Sequence, residues 1–365
     1  MNFLFFSPVV WEYYLSHHHE LPIHLANREG NSCIYVNPIR YKNWEKGSIR
    51  LQSLSKHSPK KVKIIERFSR LSKSALLLIY ESINNVSIVM KNKPDVVVSF
   101  DHLTCLFTCI YCKLSRIKFV LYILDNWDEM EKNKLTRFYY KHLIKPVVGK
   151  LSYAIVSLSS KQANLYKHYN SNVRIIPNGK SLQFVKSTEE FINPVTNLVN
   201  FFSQLRDWYD FDLLFNVFRE FPEIELNIYG VGEMYEQLKK DAEKYPNIHV
   251  RGNADFSLLP KLSAESLFGI IPLKQIPIND STSPAKLFDY WAAKKAVIAT
   301  PTEELKKIGG TSLLFASTKA EFVSAIRLLL NNRPLKEKLG QEGYKKIMEK
   351  YNYEIISAEF ENFLK

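Results

Sequence analysis

A chain of 365 residues that is 46% hydrophobic and 24% charged is a soluble globular protein, not a disordered one, and its length favours two domains over one core. No apolar run reaches membrane-spanning length, and four cysteines without an export signal argue for a reducing, cytoplasmic compartment without a disulfide framework. A net charge of +13 asks for an anionic partner.

The opening Met1-Asn2-Phe3-Leu4-Phe5-Phe6 has no basic n-region or cleavage site and reads as a first strand. His17-His18-His19 follows on a polar helix. Consecutive helical residues point in different directions, so the three cannot share one metal ion, although one of them, like Trp11 or His24, is placed to touch a ligand. Residues 50–73 concentrate positive charge in Arg50, Lys56, Lys60, Lys61, Lys63, Arg67, Arg70 and Lys73, interleaved with Val62, Ile64, Ile65 and Phe68. Such a segment suits an anionic membrane surface, and a solvated helix face is the plainer alternative. No nucleic-acid recognition motif accompanies it, so nucleic acid is not an expected partner.

Strand-like and helix-like segments then alternate, which predicts an α/β fold with parallel sheets. Strands are expected at 3–6, 33–36, 96–100, 119–124, 154–157 and 173–176, then at 199–202, 225–229, 248–251, 268–271, 296–299 and 312–315. Between the halves, 180–197 has mixed charge, Pro194 and no period, and reads as a linker. Residues 351–364 are expected to form a final helix with Ile355, Ile356, Phe360 and Phe363 on its apolar stripe. Cys105, Cys109 and Cys112 copy the spacing of the cluster thiolates in radical S-adenosylmethionine enzymes; at i, i+4 and i+7 of an apolar helix they equally share a buried face. Asp210-Phe211-Asp212 reads as a helix start with Asp210 near the N-cap, and no metal site is expected.

The most informative stretch is Ser283-Pro284-Ala285-Lys286-Leu287-Phe288-Asp289-Tyr290-Trp291-Ala292-Ala293. Ser283 is a good N-cap and Pro284 suits the first helical position. Lys286 and Asp289, three apart, neighbour each other on the helix surface. Free N–H groups, the positive dipole end and Lys286 together suit a phosphate, and Asp289 suits sugar hydroxyls. An ordinary amphipathic helix with a surface Lys–Asp pair is the competing reading.

Together these residues resemble the GT-B fold glycosyltransferases around glycosyltransferase family 4 and related glucuronosyltransferase-like bacterial enzymes. Members carry P-x-K-x-x-E-Y-x-A-A-G-K-P-V-V, which Pro284 to Ile298 follow, with Asp289 for the Glu, Lys294 for the Gly and Ala296 for the Pro. Ile175-Ile176-Pro177-Asn178-Gly179 is similar to V-I-P-N-G, Ile228-Tyr229-Gly230-Val231-Gly232 to I-x-G-x-G, and Arg251-Gly252 to a strand-end R-G. Trp208-Tyr209-Asp210 is similar to W-x-D, and Tyr122-Ile123-Leu124-Asp125-Asn126-Trp127 to Y-D-x-x-D-D-W.

The resemblance implies two Rossmann-like doubly wound domains facing a cleft: an acceptor domain at 1–180, a donor domain at 181–350, and a terminal helix, 351–365, packing back on the first. It implies transfer of a sugar from a nucleotide-diphosphate sugar to a glycan or lipid-linked acceptor hydroxyl in surface polysaccharide synthesis, at the cytoplasmic face of a membrane and with no cofactor beyond the co-substrate. Donor contacts fall to Lys286, Asp289, Ser283, Pro284, Arg206, Tyr229, Gly230, Gly232 and Arg251; Asp125, with Asp128 in reserve, is the candidate base. Position 281, where retaining members often place a Glu, is Ser281, with Asp280 one residue away, so the stereochemical outcome stays open. The replacements at 289, 294 and 296 leave a catalytically impaired binding subunit as the alternative.

Overall fold

The computed structural model describes residues 1–11, 16–40, 61–69, 75–124, 133–191 and 197–365. It divides into two compact units, Met1–Pro177 with Ile356–Lys365, and Asn178–Ile355. Among the described residues no helix is long and apolar enough to cross a membrane.

The first unit carries parallel strands β1 (Asn2–Phe6), β2 (Ser32–Arg40), β3 (Val62–Ser69), β4 (Val96–Ser99), β5 (Lys118–Ile123), β6 (Ala154–Ser157) and β7 (Val173–Ile175), in the order β3-β2-β1-β4-β5-β6-β7. The central strands are runs of Val, Ile, Leu and Phe buried along all but the first residue of β1 and β5, as a sheet covered by helices on both faces requires. Strand order reverses between β1 and β4, and in doubly wound sheets ligands collect outside the carboxyl ends at such a reversal.

Strand β3 lies inside the basic segment assigned above to a membrane surface or a helix face. Its charges are those of an edge strand, whose outward positions discourage pairing with other chains. Arg67 is withdrawn from solvent altogether: it is 3% exposed and donates to Asn85 Oδ1 (2.7 Å), with Asp101 Oδ2 at 3.4 Å. It therefore cannot serve a lipid headgroup. Residues 50–60 and 70–73 lie outside the described residues.

The histidine triplet opens helix His17–Asn27, and the expectation of a polar face is corrected. His17 Nε2 lies 2.7 Å from Tyr122 Oη, His18 Nδ1 lies 3.1 Å from Ser7 Oγ, and the His19 ring stacks on Tyr35. Trp11 closes over His19, its own main-chain N–H held by Asn37 (2.8 Å), while His24 pairs with Glu20. Burial holds His17 and His19 down to about 3; burial first, and then the neighbouring histidines, hold His18 well below its ordinary value.

The three cysteines of helix Leu106–Leu114 and its N-cap are also interior. The Cys105 thiol donates to His102 O (3.1 Å), and Cys109 sits among Val148 and Ser152. Burial pushes the Cys109 and Cys112 thiols up to about 12, so they stay protonated and apolar in character. The cluster reading is overturned: thiolates are needed to bind iron, and this face belongs to the core. Among the described residues no three His, Cys, Asp or Glu side chains are grouped to hold a metal.

Helix Tyr353–Leu364 closes the first unit with Ile356, Phe360 and Leu364 buried, four residues apart on one stripe. Ile355, expected on that stripe, is exposed instead, and Phe363 is half-buried. Phe360 meets Phe3 and Tyr122, with ring centres 6.3 and 5.9 Å away. Glu361 pairs with Arg28 and with Lys365 (2.8 Å). Burial alone would raise its carboxyl, but hydrogen bonds from Lys365, Arg28 and Asn31 outweigh it and bring it to about 2. A depressed carboxylate contributes stability that is complete above its unfolded value and lost as pH falls through the folded one. Glu361→Gln is therefore expected to lower unfolding free energy by about 2 kcal/mol at pH 7. Urea melts that match the parent protein at neutral pH would refute this role.

The second unit repeats the plan with β8 (Leu198–Phe202), β9 (Glu225–Tyr229), β10 (Ile248–Gly252), β11 (Gly269–Ile271), β12 (Val297–Ala299) and β13 (Leu314–Phe315), all parallel. Its two ladders, β10-β9-β8 and β11-β12-β13, meet where Leu267 N donates to Leu198 O (2.7 Å). Side chains complete that seam: Asn200 N donates to Ser266 Oγ (3.1 Å), and Tyr290 Oη donates to Asn200 O (2.6 Å). The order again reverses beside the first strand of the set, β8. The stretch expected as a linker contains helix Leu182–Glu189, capped by the Ser181 hydroxyl.

Candidate functional site

At the carboxyl ends of β8 and β9, two loops interlock through their main chains. Ser203 N donates to Tyr229 O (3.0 Å), Leu205 N to Val231 O (3.0 Å), and Met234 N to Leu205 O (3.1 Å). The approach requires glycine. A Cβ on Gly230, whose φ is +142°, would stand 1.8 Å from Ser203 O, and one on Gly232 would stand 2.2 Å from Leu205 O. Gly230→Ala is expected to cost about 2 kcal/mol by forcing both the backbone angle and the loop apart; a thermal midpoint within a degree of the parent would contradict it.

The loop that the glycines hold presents Ser203 and Tyr209 to helix Ala285–Ala292. Lys286, 5% exposed, donates to Tyr209 Oη and to Ser203 Oγ (3.2 Å), and its ammonium lies 4.1 Å from the centre of the Tyr209 ring. Ser203 Oγ also donates to Tyr209 Oη (2.9 Å). Burial would raise the Tyr209 phenol, but Lys286 more than offsets it and holds it below its ordinary value. Among the described residues both hydrogen-bond partners of Lys286 are hydroxyls, not carboxylates. Such a cation keeps most of its charge for an incoming anion.

Asp289, one turn on, forms an ion pair with Lys180. Its carboxyl is raised by burial, an effect opposed by Lys180 and Lys286. Two ammoniums and one carboxylate leave this buried group at least one positive charge in excess. Lys180 packs over the Phe184 ring (4.4 Å), and Asn178 Nδ2 donates to Ser283 O (2.8 Å). The I-P-N-G-like segment is thereby tied to the start of the helix.

That start differs from expectation by one residue. Pro284, not Ser283, is the N-cap, and it supplies no side-chain acceptor. The Ser283 hydroxyl is buried, and among the described residues it has no hydrogen-bond partner. Uncapped N–H groups, an unpartnered hydroxyl and a buried ammonium thus all belong to the start of this one helix.

The remaining expectations separate. Arg206 lies in the same loop, half-exposed, 4.0 Å from Glu233 and over the Trp208 ring. Tyr229 ends β9 half-buried, whereas Arg251 donates to Asn227 Oδ1 (2.7 Å). Ser281 donates to Ile278 O (2.9 Å). Asp125 and Asp128 lie outside the described residues. Lys180, Ser203 and Tyr209, which surround Lys286 and Asp289, are not among the residues expected to contact the donor, although Phe202-Ser203-Gln204 stands where the family resemblance places a loop beside the diphosphate and Trp208-Tyr209-Asp210 and the Asn178-Gly179 boundary were further signals. Lys294, in the position of the family glycine, adopts the left-handed conformation (φ +57°) that the glycine would take, so the turn survives the replacement.

Residues 210–362 match the family model described as glycosyl transferase-like. No curated protein matches the sequence. Solved structures do: HepE of Anabaena in complex with UDP-glucose is 13% identical with a TM-score of 0.73, covering 100% of this chain and 99% of that one. Sucrose-phosphate synthase of Thermosynechococcus elongatus is 14% identical with a TM-score of 0.76 over 100% and 98%. UDP-GlcNAc 2-epimerase of Neisseria meningitidis is 12% identical with a TM-score of 0.63 over 100% and 98%. These likenesses establish the GT-B fold. The epimerase shows that the fold alone does not name a reaction.

Proposed function

We propose that this GT-B glycosyltransferase-like protein transfers a glycosyl group from a nucleoside-diphosphate sugar to a hydroxyl of a glycan or lipid-linked acceptor, in the building of a surface polysaccharide. The observation that carries the proposal is the buried Lys286 ammonium, held by hydroxyls alone beside the unpartnered Ser283 and an uncapped helix. A diphosphate supplies the missing partners. Asp289, oriented by Lys180, accepts from ribose hydroxyls, and the Gly230–Gly232 turn floors the donor.

In the reaction the bond between the anomeric carbon and the diphosphate oxygen breaks, and the acceptor oxygen bonds to that carbon. The bonding pair leaves with the nucleoside diphosphate, whose charge is met by Lys286, the helix start and Arg206 without a metal ion. The acceptor proton passes to a base, for which Asp125 and then Asp128 are the candidates if the anomeric centre inverts. The same reading places the protein in the cytoplasm, peripheral to a membrane whose anionic surface meets residues 50–73.

A thermal-shift panel of UDP-, GDP- and dTDP-sugars tests the proposal, since a donor that binds only the folded protein raises its melting temperature. At least one donor is expected to do so and then to be consumed when acceptor is supplied. No shift with any of them, and no binding of any free nucleoside diphosphate, would remove the donor site.

A further inference from the structure

The chain passes between its two units at Pro177–Asn178 and again at Ile355–Ile356. Just inside the second unit the two passing segments pair with each other. Lys180 and Asn352 form a parallel bridge, Lys180 N donates to Tyr351 O (2.9 Å), and Tyr353 N donates to Lys180 O (3.2 Å). The Lys180 side chain, 8% exposed, turns to the donor helix instead of to water: it pairs with Asp289, with its ammonium over the Phe184 ring. The returning segment is fixed to the same helix, since the buried Tyr351 ring lies 5.2 Å from that of Phe288 and 6.4 Å from that of Trp291. Asn352 locks its turn, with Nδ2 donating to Met348 O (2.8 Å) and Oδ1 accepting from Ile355 N (3.0 Å). Asp289 itself is 3% exposed, and among the described residues its Oδ1 meets Lys180 as an ion pair without a well-formed hydrogen bond. A buried carboxylate oxygen short of a donor favours a ligand hydroxyl that supplies one.

We propose that Lys180 is a positioning residue that couples the ribose pocket to the paired segments, aiming Asp289 at the ligand from a main chain that 351–353 hold. The proposal rests on the donor site described above and adds to it a second place where binding is felt. Lys180 cannot withdraw without leaving Asp289 as an unpaired buried charge, so the two side chains move together. Ribose hydroxyls that fix the carboxylate thereby fix the ammonium, and with it the main-chain bonds from Lys180 to Tyr351 and Tyr353. Such coupling is reciprocal: loosening the paired segments weakens nucleotide binding by the same factor.

Amide exchange of the full-length protein, read by mass spectrometry with UDP and GDP as probes, tests it. In the parent, saturating nucleotide is expected to slow exchange at least about fivefold in loop 203–205 and also at Lys180 and Tyr353. Lys180→Met should keep the slowing in 203–205 and lose it at positions 180 and 353, with nucleotide affinity falling about tenfold. Because that substitution strands a buried carboxylate, Lys180→Met/Asp289→Asn supplies a neutral pair, which should give the same exchange pattern. In the reverse direction, Asn352→Ala leaves every donor-site side chain in place and should weaken nucleotide binding at least about threefold. Slowing at Tyr353 that survives both Lys180 variants overturns the proposal. So does a parent that binds nucleotide with no change there, or parental affinity in Asn352→Ala. A parent that binds neither probe, with 203–205 unchanged, removes the donor site itself and the coupling with it.

Discussion

Nucleoside diphosphates are expected to bind Lys286→Ala roughly thirty- to 150-fold more weakly than the parent protein, a loss of about 2–3 kcal/mol, the worth of a hydrogen bond to a buried charge. The size follows from the surroundings. Lys286 is almost wholly removed from water, its present partners are neutral hydroxyls, and no mobile solvent shell stands ready to replace it. Ser203 and Tyr209 have each other at 2.9 Å, so neither is stranded by the truncation and the fold should survive. Calorimetric titration with the best nucleoside diphosphate of the panel supplies the measurement. An unchanged affinity would mean that the diphosphate does not sit at this helix. Tyr209→Phe sharpens the result: it leaves the ammonium in place, and a smaller loss there separates charge from positioning.

Acidification is expected to destabilise the protein well before its carboxylates protonate. His17 and His19 are held to about 3 in the folded chain, against ordinary values near 6.5. The folded form therefore stays neutral where the unfolded chain takes up protons. Their contribution to stability is complete above pH 6.5, declines as pH falls through the interval down to about 3, and is flat below it. Each such group costs about 1.4 kcal/mol per pH unit within the interval, so at pH 5.5 the pair alone removes about 3 kcal/mol, and His18 adds to it. A domain with total stability on the order of 5–15 kcal/mol registers that clearly. Urea midpoints at pH 7.5, 6.5 and 5.5 should fall steeply across the last step. A flat profile between 6.5 and 5.5 would show that protons reach these rings in the folded state.

Much of the fold was legible because its central strands are short aliphatic runs between turn residues. Ala154–Ser157 and Glu225–Tyr229 were expected with the bounds they have. Strand β3 was not, because Lys63, Glu66 and Arg67 interrupt its apolar positions and an edge strand tolerates such charges. The histidine triplet misled for a related reason. Three polar symbols in a row read as surface, yet Tyr35, Tyr122 and Phe100 are large enough to enclose them. Lys286 was legible from its motif and its helical spacing. Its partners were not, since Ser203 and Tyr209 lie 83 and 77 positions away and only the folded loops bring them within reach. The same holds for Lys180, which nothing local distinguishes from the other lysines of a basic chain.

The interior shared by Phe3, Tyr122 and Phe360 has a bearing on synthesis. Residues made early wait for residues made late: on the ribosome the sheet that begins with β1 stays uncovered along that edge until position 364 has emerged. A nascent chain halted short of Ile356 would display the aromatic floor of that sheet to chaperones and proteases.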